Sequence, residues 1–142
     1  MEIILASSSP RRREILSSLG LKYKVIPPDV NEDIFSYEKN PRHFVETLAL
    51  EKALSVLEKI RRRKNTLILG ADTIVFLRRK IIGKPSSFKD AVRMLAMLSG
   101  SRHKVYTGIA LVIPHQDKEN IMRIYVSSDV SVVKMRHLQA RD

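Results

Sequence analysis

The stretch Ile3-Ile4-Leu5-Ala6-Ser7-Ser8-Ser9-Pro10-Arg11-Arg12-Arg13 decides how this chain folds: an apolar strand runs through three serines into a proline and three arginines. Ser9 suits a helix N-cap and Pro10 suits the first helical position, where a missing N–H costs nothing. Residues 11–19 carry the helix on to Gly20 as its stop. The junction brings backbone N–H groups, the positive end of a helix dipole and guanidiniums to one place. That combination binds an anion, phosphate first of all, and is the expected half of an active site.

The 142 residues suggest one domain over 1–142, long enough to bury roughly two-thirds of the surface the unfolded chain exposes. Hydrophobic residues make up 44% and charged residues 29%, with 5 Gly and 6 Pro, so neither disorder nor a fibrous repeat is indicated. No segment approaches a membrane span, and the N-terminus enters a strand without the pattern of a signal peptide. Together with the absence of cysteine, this gives the expectation of a soluble, cytoplasmic protein with no disulfide and no thiolate metal site.

The net charge of +11 favours polyanionic partners. The basic residues fall in separate clusters at 11–13, 61–64 and 78–80, with only 4 Tyr and 4 Phe in the whole chain. Dispersed clusters without interleaved aromatics argue against a single-strand platform, and no helix-turn-helix or RNA-binding signature appears. The 61–64 run reads as a solvated helix end.

Along the chain, residues 23–26 read as a short strand closed by Pro27-Pro28, followed by an acidic stretch at 29–33. Asn40-Pro41 opens a long helix with Phe44, Val45, Leu48, Leu54, Leu57 and Ile60 at helical spacing. Lys52 lies in line with Val45 and Leu48, on or beside the buried face. Residues 66–77 form a buried central strand, 78–80 its turn and Ile81-Ile82 the returning strand. A second amphipathic helix covers 88–98, with Ala91, Met94, Leu95 and Leu98 on one face and Gly100 as stop. Strands at 104–113 and 121–135 complete a mixed α/β order: a mixed twisted β-sheet flanked by helices.

Asp72 interrupts the apolar run Leu67-Ile68-Leu69-Gly70-Ala71-Asp72-Thr73-Ile74-Val75. A buried carboxylate is costly unless paired or bound to metal, so Asp72 is either a functional acid or a structural acceptor at a bulge beside Gly70. Taken singly, Lys52, Lys84 and Glu32 read as a snorkelling lysine, a turn residue and a solvated loop acid. His43, His103, His115 and His137 have no spacing that sets two ligands on one face, against a histidine zinc site.

Five motifs, in order, resemble those of the Maf family. They are Leu5-Ala6-Ser7-Ser8-Ser9-Pro10-Arg11-Arg12 with Ile15-Leu16, then Glu51-Lys52-Ala53, then Gly70-Ala71-Asp72-Thr73-Ile74-Val75, then Gly83-Lys84-Pro85. The fifth is Leu98-Ser99-Gly100 with His103, Val105 and Thr107-Gly108-Ile109-Ala110-Leu111. The resemblance implies an architecture similar to the inosine triphosphate pyrophosphatases and a house-cleaning nucleoside triphosphate pyrophosphatase. It implies Asp72 as catalytic base, Arg11 and Thr73 in nucleotide selection, Ser8, Arg12, Lys52 and Lys84 around the phosphates, and Glu32 toward a divalent cation, Mg²⁺ or Mn²⁺. Arg after Ser-Pro, with Ala-Asp-Thr, looks like the dTTP and UTP branch. The branch acting on 7-methyl-GTP tends to show Trp and Ser-Asp-Gln at those places. A homodimer is also implied.

Two departures stand out. The hairpin at 76–82 lacks the Asp or Asn with Gly common at its turn, which is expected to change only local geometry. Family members continue past the position of Leu138 into a Lys-Ala-Gly-Ala-Tyr-Gly-Ile-Gln type of motif, and this chain stops at Asp142. A truncated or shortened, inactive homologue and a non-catalytic binder of nucleotide or nucleic acid are therefore the alternatives to the enzyme.

Overall fold

Strand β3 (Thr66–Leu77) carries every other strand of a six-stranded mixed sheet, directly or through one neighbour. In this computed structural model, which describes residues 1–61 and 64–141, the order is β2 (Lys24–Val25), β1 (Glu2–Ala6), β3, β5 (Arg102–Pro114) and β6 (Met122–Lys134). The first three run parallel; β5 and β6 are antiparallel. The short β4 (Lys80–Ile82) returns on the end of β3. Of the basic run at 61–64, Arg62 and Arg63 lie outside the described residues.

The pairing of β3 decides where a site can form. One edge is taken by β5, from Ile68 opposite Val112 to Phe76 opposite Lys104. The other edge is divided: β1 pairs with residues 66–70 and β4 with residues 75–77. Residues 71–74 are left without a strand neighbour there, and Asp72 and Thr73 stand in the gap. Crevices where neighbouring strands part at the carboxyl end of a parallel pair are where open α/β sheets bind ligands.

Helix α2 (Pro41–Lys59) covers one face of the sheet. Asn40 caps it by accepting from the N–H groups of Arg42 and His43, and Pro41 occupies the first turn. Its buried residues, among them Val45, Leu48, Ala49, Lys52 and Val56, recur at three- and four-residue steps, as a helix lying on a core requires. Ala53, Val56 and Leu57 close on Ile4, Ala6, Ile68 and Val112. The approach is close because the strands offer glycine beneath the helix. A Cβ on Gly70 would overlap the Ala49 carbonyl oxygen, and one on Gly108 the Val45 carbonyl oxygen.

Helix α1 (Pro10–Ser18) begins at the expected proline and ends at Gly20, whose φ of +71° closes a Schellman turn. Leu21 N–H reaches the Leu16 carbonyl and Gly20 N–H the Ser17 carbonyl. Ser9 holds the N-cap position but does not cap with its side chain: its N–H donates to Ser7 Oγ at 3.1 Å, so the serine two residues earlier organises the loop. Strand β2 is shorter than the expected 23–26 because only Lys24 and Val25 pair in register with β1.

Helix α3 (Phe88–Leu98) has the expected limits, but its apolar face is not buried. No α3 residue is fully buried, Leu95 and Val92 are half exposed, and no element closes over the helix among the described residues.

The β3–β4 hairpin turns in two residues, Arg78 and Arg79, with Lys80 already in β4. Both have positive φ, +51° and +63°. The turn therefore keeps the mirror-type conformation that Asn-Gly adopts easily, using two arginines that pay a steric penalty for it. Replacing them together by Asn and Gly (Arg78→Asn, Arg79→Gly) should raise stability by about 1 kcal/mol. A denaturant midpoint that moves up at unchanged slope confirms this; one that falls shows the arginines are not strained.

Candidate active site

Asp72 and Lys52 meet in the gap of the sheet. Lys52 sits on the buried face of α2, one turn beyond Leu48, and Asp72 points to the same face of β3 as Ile68 and Ile74; the two residues are 8% and 5% exposed. Lys52 Nζ donates to Asp72 Oδ1 at 2.6 Å and lies 3.1 Å from Glu32 Oε1. Glu32 comes from a short 3₁₀ turn at Glu32–Phe35, capped by Asn31. One buried ammonium thus bridges two carboxylates from distant parts of the chain. Asp72 Oδ2 is buried with no hydrogen-bond partner among the described residues. Buried polar atoms are as a rule hydrogen-bonded, so this oxygen is an exception that singles Asp72 out.

The serine-arginine loop forms the facing wall. Arg12 Nη1 donates to Ser7 Oγ at 3.2 Å and Nη2 to Thr73 Oγ1 at 3.4 Å, which ties the start of α1 to β3. Burial lowers the Arg12 pKa from its ordinary value, opposed by the charges of Asp72 and Glu32.

A cavity of about 440 Å³ is lined by Ser7, Ser8, Ser9, Arg12, Pro28, Val30, Glu32, Lys52, Asp72, Thr73 and Lys84. It gathers seven of the eight residues singled out from the sequence. The eighth, Arg11, lines an adjoining cavity of about 460 Å³ with Ile15, Leu69, Ala71, Thr107 and Ile109. Ser9, Arg12 and Thr73 belong to both, so the two hollows share a wall. One is polar and cationic, the other mainly aliphatic. A larger cavity of about 760 Å³ lies at the other end of the sheet, between the end of α2 and the β5–β6 loop. It contains none of the buried ionisable residues Lys52, Asp72 and His103, and the last is committed to Ser101 Oγ at 3.1 Å.

Three site residues lie in the motifs quoted above but were given no role there. Ser7 is buried and holds both Arg12 and the Ser9 N–H; only its place directly after an apolar strand hints at this. Thr107 and Ile109 enter the aliphatic cavity through the register of β5 against β3, with Thr107 opposite Thr73 and Ile109 opposite Ala71. That register is a long-range property that no local pattern encodes.

Among the described residues no group of three or more His, Asp or Glu could hold a metal ion by itself. Glu32 and Asp72 both reach the Lys52 ammonium and both line the cavity, and a hard cation such as Mg²⁺ accepts one or two carboxylates when phosphate oxygens supply other ligands. The donor set fits a cation that arrives with an anionic ligand.

Burial raises the Asp72 pKa above its ordinary 3.8, with the Lys52 hydrogen bond and charge acting against it and Glu32 adding to it. The folded chain therefore holds this proton more tightly than the unfolded chain, and the stability it brings is lost as pH climbs through the interval from 3.8 to the raised value. Relative to Asp72→Asn, the parent should lose stability over that interval and then level off once the carboxyl is ionised. Denaturant midpoints across pH measure this, and a difference running in the opposite direction would contradict the burial argument.

The family model described as Maf-like protein matches residues 2–142. The chain is 48% identical over 112 residues to a Thermoanaerobacter pseudethanolicus protein named dTTP/UTP pyrophosphatase, covering 79% of this chain and 56% of that protein. It is 41% identical over 142 residues to the Aquifex aeolicus protein of the same name, covering 100% and 68%. A Bacillus cereus protein, again so named, is 41% identical over 130 residues, covering 92% and 64%. The chain thus spans between about half and two-thirds of the length of these curated relatives. Among solved structures, nucleoside-triphosphatase / dITP/XTP pyrophosphatase from Mycobacterium abscessus superposes with a TM-score of 0.54 at 17% identity, covering 94% of this chain and 74% of that one. The HAM1 protein from Coxiella burnetii gives 0.54 at 16%, covering 94% and 72%. At such identities the likeness is one of fold, and it agrees with the mixed sheet described above. A family model that matches residues 2–142 of this chain and relatives above 40% identity have one meaning: this chain belongs to the Maf family.

Proposed function

We propose that the chain hydrolyses nucleoside triphosphates, dTTP and UTP first, to the nucleoside monophosphate and pyrophosphate. The observation that carries this reading is Asp72, buried, held by Lys52 and lining one cavity with Ser8, Arg12, Lys52 and Lys84 among others. An acid with one oxygen anchored by a lysine and the other free, facing a set of phosphate-binding cations, is suited to activating water at a phosphoanhydride. The names borne by the relatives agree with that chemistry.

In this reading the triphosphate lies along the cationic cavity and the base enters the aliphatic one, where Arg11 and Thr73 select it. Asp72 takes a proton from water as the water oxygen bonds to phosphorus at the α–β bridge. The bond from that phosphorus to the bridging oxygen breaks, and its electron pair leaves with pyrophosphate. Lys52 holds Asp72 in place, and Arg12 and Lys84 stabilise the charge that develops on the phosphate oxygens. Glu32, with phosphate oxygens of the substrate, would hold a divalent cation, Mg²⁺ or Mn²⁺, which would supply charge neutralisation and a more acidic bound water. The partner is a free nucleotide, and the setting is the cytoplasm.

Pyrophosphate release measured over dTTP, UTP, CTP and 7-methyl-GTP with added Mg²⁺ tests the proposal. Asp72→Asn should lower kcat at least about a hundredfold with little change in KM, as loss of a positioned base does. An amide variant with parental turnover removes Asp72 from that role. Arg11→Ala should weaken binding and flatten the preference among bases, and identical preferences before and after the change would refute its part in selection.

A further inference from the structure

We infer that Thr107 is a further specificity residue, reading the polar edge of the base through a hydroxyl pair with Thr73. The inference rests on the proposed placement of the base in the aliphatic cavity. Thr73 and Thr107 face each other across β3 and β5 with their Oγ1 atoms 3.1 Å apart, and Thr73 Oγ1 also receives Arg12 Nη2 at 3.4 Å. A guanidinium only donates, so the direction of that contact is fixed. The two hydroxyls own two hydrogens. One closes the bond between them, and among the described residues the other has no partner. Whichever threonine keeps it, the pair presents a donor to the cavity that both residues line.

The rest of the lining agrees with a flat ring entering here. Ile15 of α1 and Ile109 of β5 are 54% and 43% exposed, and both line this hollow, so a base would cover apolar surface that is otherwise wet. A uracil or thymine edge carries two carbonyl acceptors flanking one N–H. Arginine donors and one free hydroxyl donor match the carbonyls, and an oxygen lone pair of the threonine pair accepts the N–H. Cytosine puts an amino group where one carbonyl would be, donor against donor.

The test uses the 142-residue chain and α,β-imido-UTP, an equilibrium probe that cannot be cleaved at the α–β bridge. Thr107→Val keeps the branched shape and removes the hydroxyl. With one hydroxyl left to meet both a carbonyl and the N–H of the base, one of the two goes unpaired, so affinity for α,β-imido-UTP should fall about tenfold and that for the cytidine analogue less. Affinity for inorganic tripolyphosphate, which has no base, should stay within about twofold and reports that the variant is folded. Thr107→Ser should recover most of the loss. Unchanged affinity for the uridine analogue in Thr107→Val, an equal loss for tripolyphosphate, or a serine variant as weak as the valine one overturns the assignment. Parental binding without pyrophosphate release removes the hydrolase reading and leaves Thr107 standing. Release with an indifferent Thr107→Val does the reverse, and a parent that binds neither probe removes both.

Discussion

The contact between Lys52 and Asp72, 2.6 Å long and almost wholly buried, is the constraint on which the rest of the molecule turns. Neither charge is tolerable alone at that depth. The pair exists only because α2 lies against β3 closely enough for a lysine to reach the strand, and that closeness requires glycine at 70 and 108 beneath the helix backbone. Two residues without side chains thus set the position of two residues whose side chains carry the chemistry. The link between helix packing and acid–base chemistry is a direct one.

The division of one β3 edge between β1 and β4 supplies the other requirement, an opening. Had β1 been longer or β4 begun to pair earlier, Asp72 and Thr73 would have been sealed by a continuous ladder. Instead the chain leaves β1 at Ser7, and Ser7 turns its hydroxyl to the loop N–H of Ser9 and to Arg12. Arg12 of α1 is thereby presented to the gap from one side while Glu32 and Lys84 approach from another. Positive charge around a buried acid is affordable because Lys52 and Arg12 each answer the carboxylates, and the surplus faces the cavity, where an anion completes the balance.

Much of this was legible before any coordinates. A lone acid inside an apolar run is conspicuous, a lysine at helical spacing among leucines is nearly as plain, and the strand–serine–proline–arginine junction announces a helix start with an anion site. These signals are local, and local physics fixes them. What was not legible depends on partners distant in sequence. The pairing of Thr107 with Thr73 follows from strand register. The wet apolar face of α3 follows from what fails to cover it, and a hydrophobic period cannot report that. Ser9 stands at the N-cap as its identity suggests, yet its side chain makes no cap hydrogen bond. The residue has the right identity and position, but Ser7 captures its N–H and the loop takes its shape from that bond. In the hairpin the arginines adopt the left-handed turn despite their propensity, because the strands on either side leave room for only two residues.

Ser9, Arg12 and Thr73 stand in the partition between the two hollows, and for the last two this carries an evolutionary consequence. A substitution at either is felt on both sides at once, so substrate preference cannot drift through them without disturbing the hydrolytic end. Positions that touch only the aliphatic chamber, Arg11, Ile15, Thr107 and Ile109, are exempt from that double burden. Divergence among descendants of this scaffold has its freest path there, along one strand and one turn of a helix, with the ionic machinery left untouched.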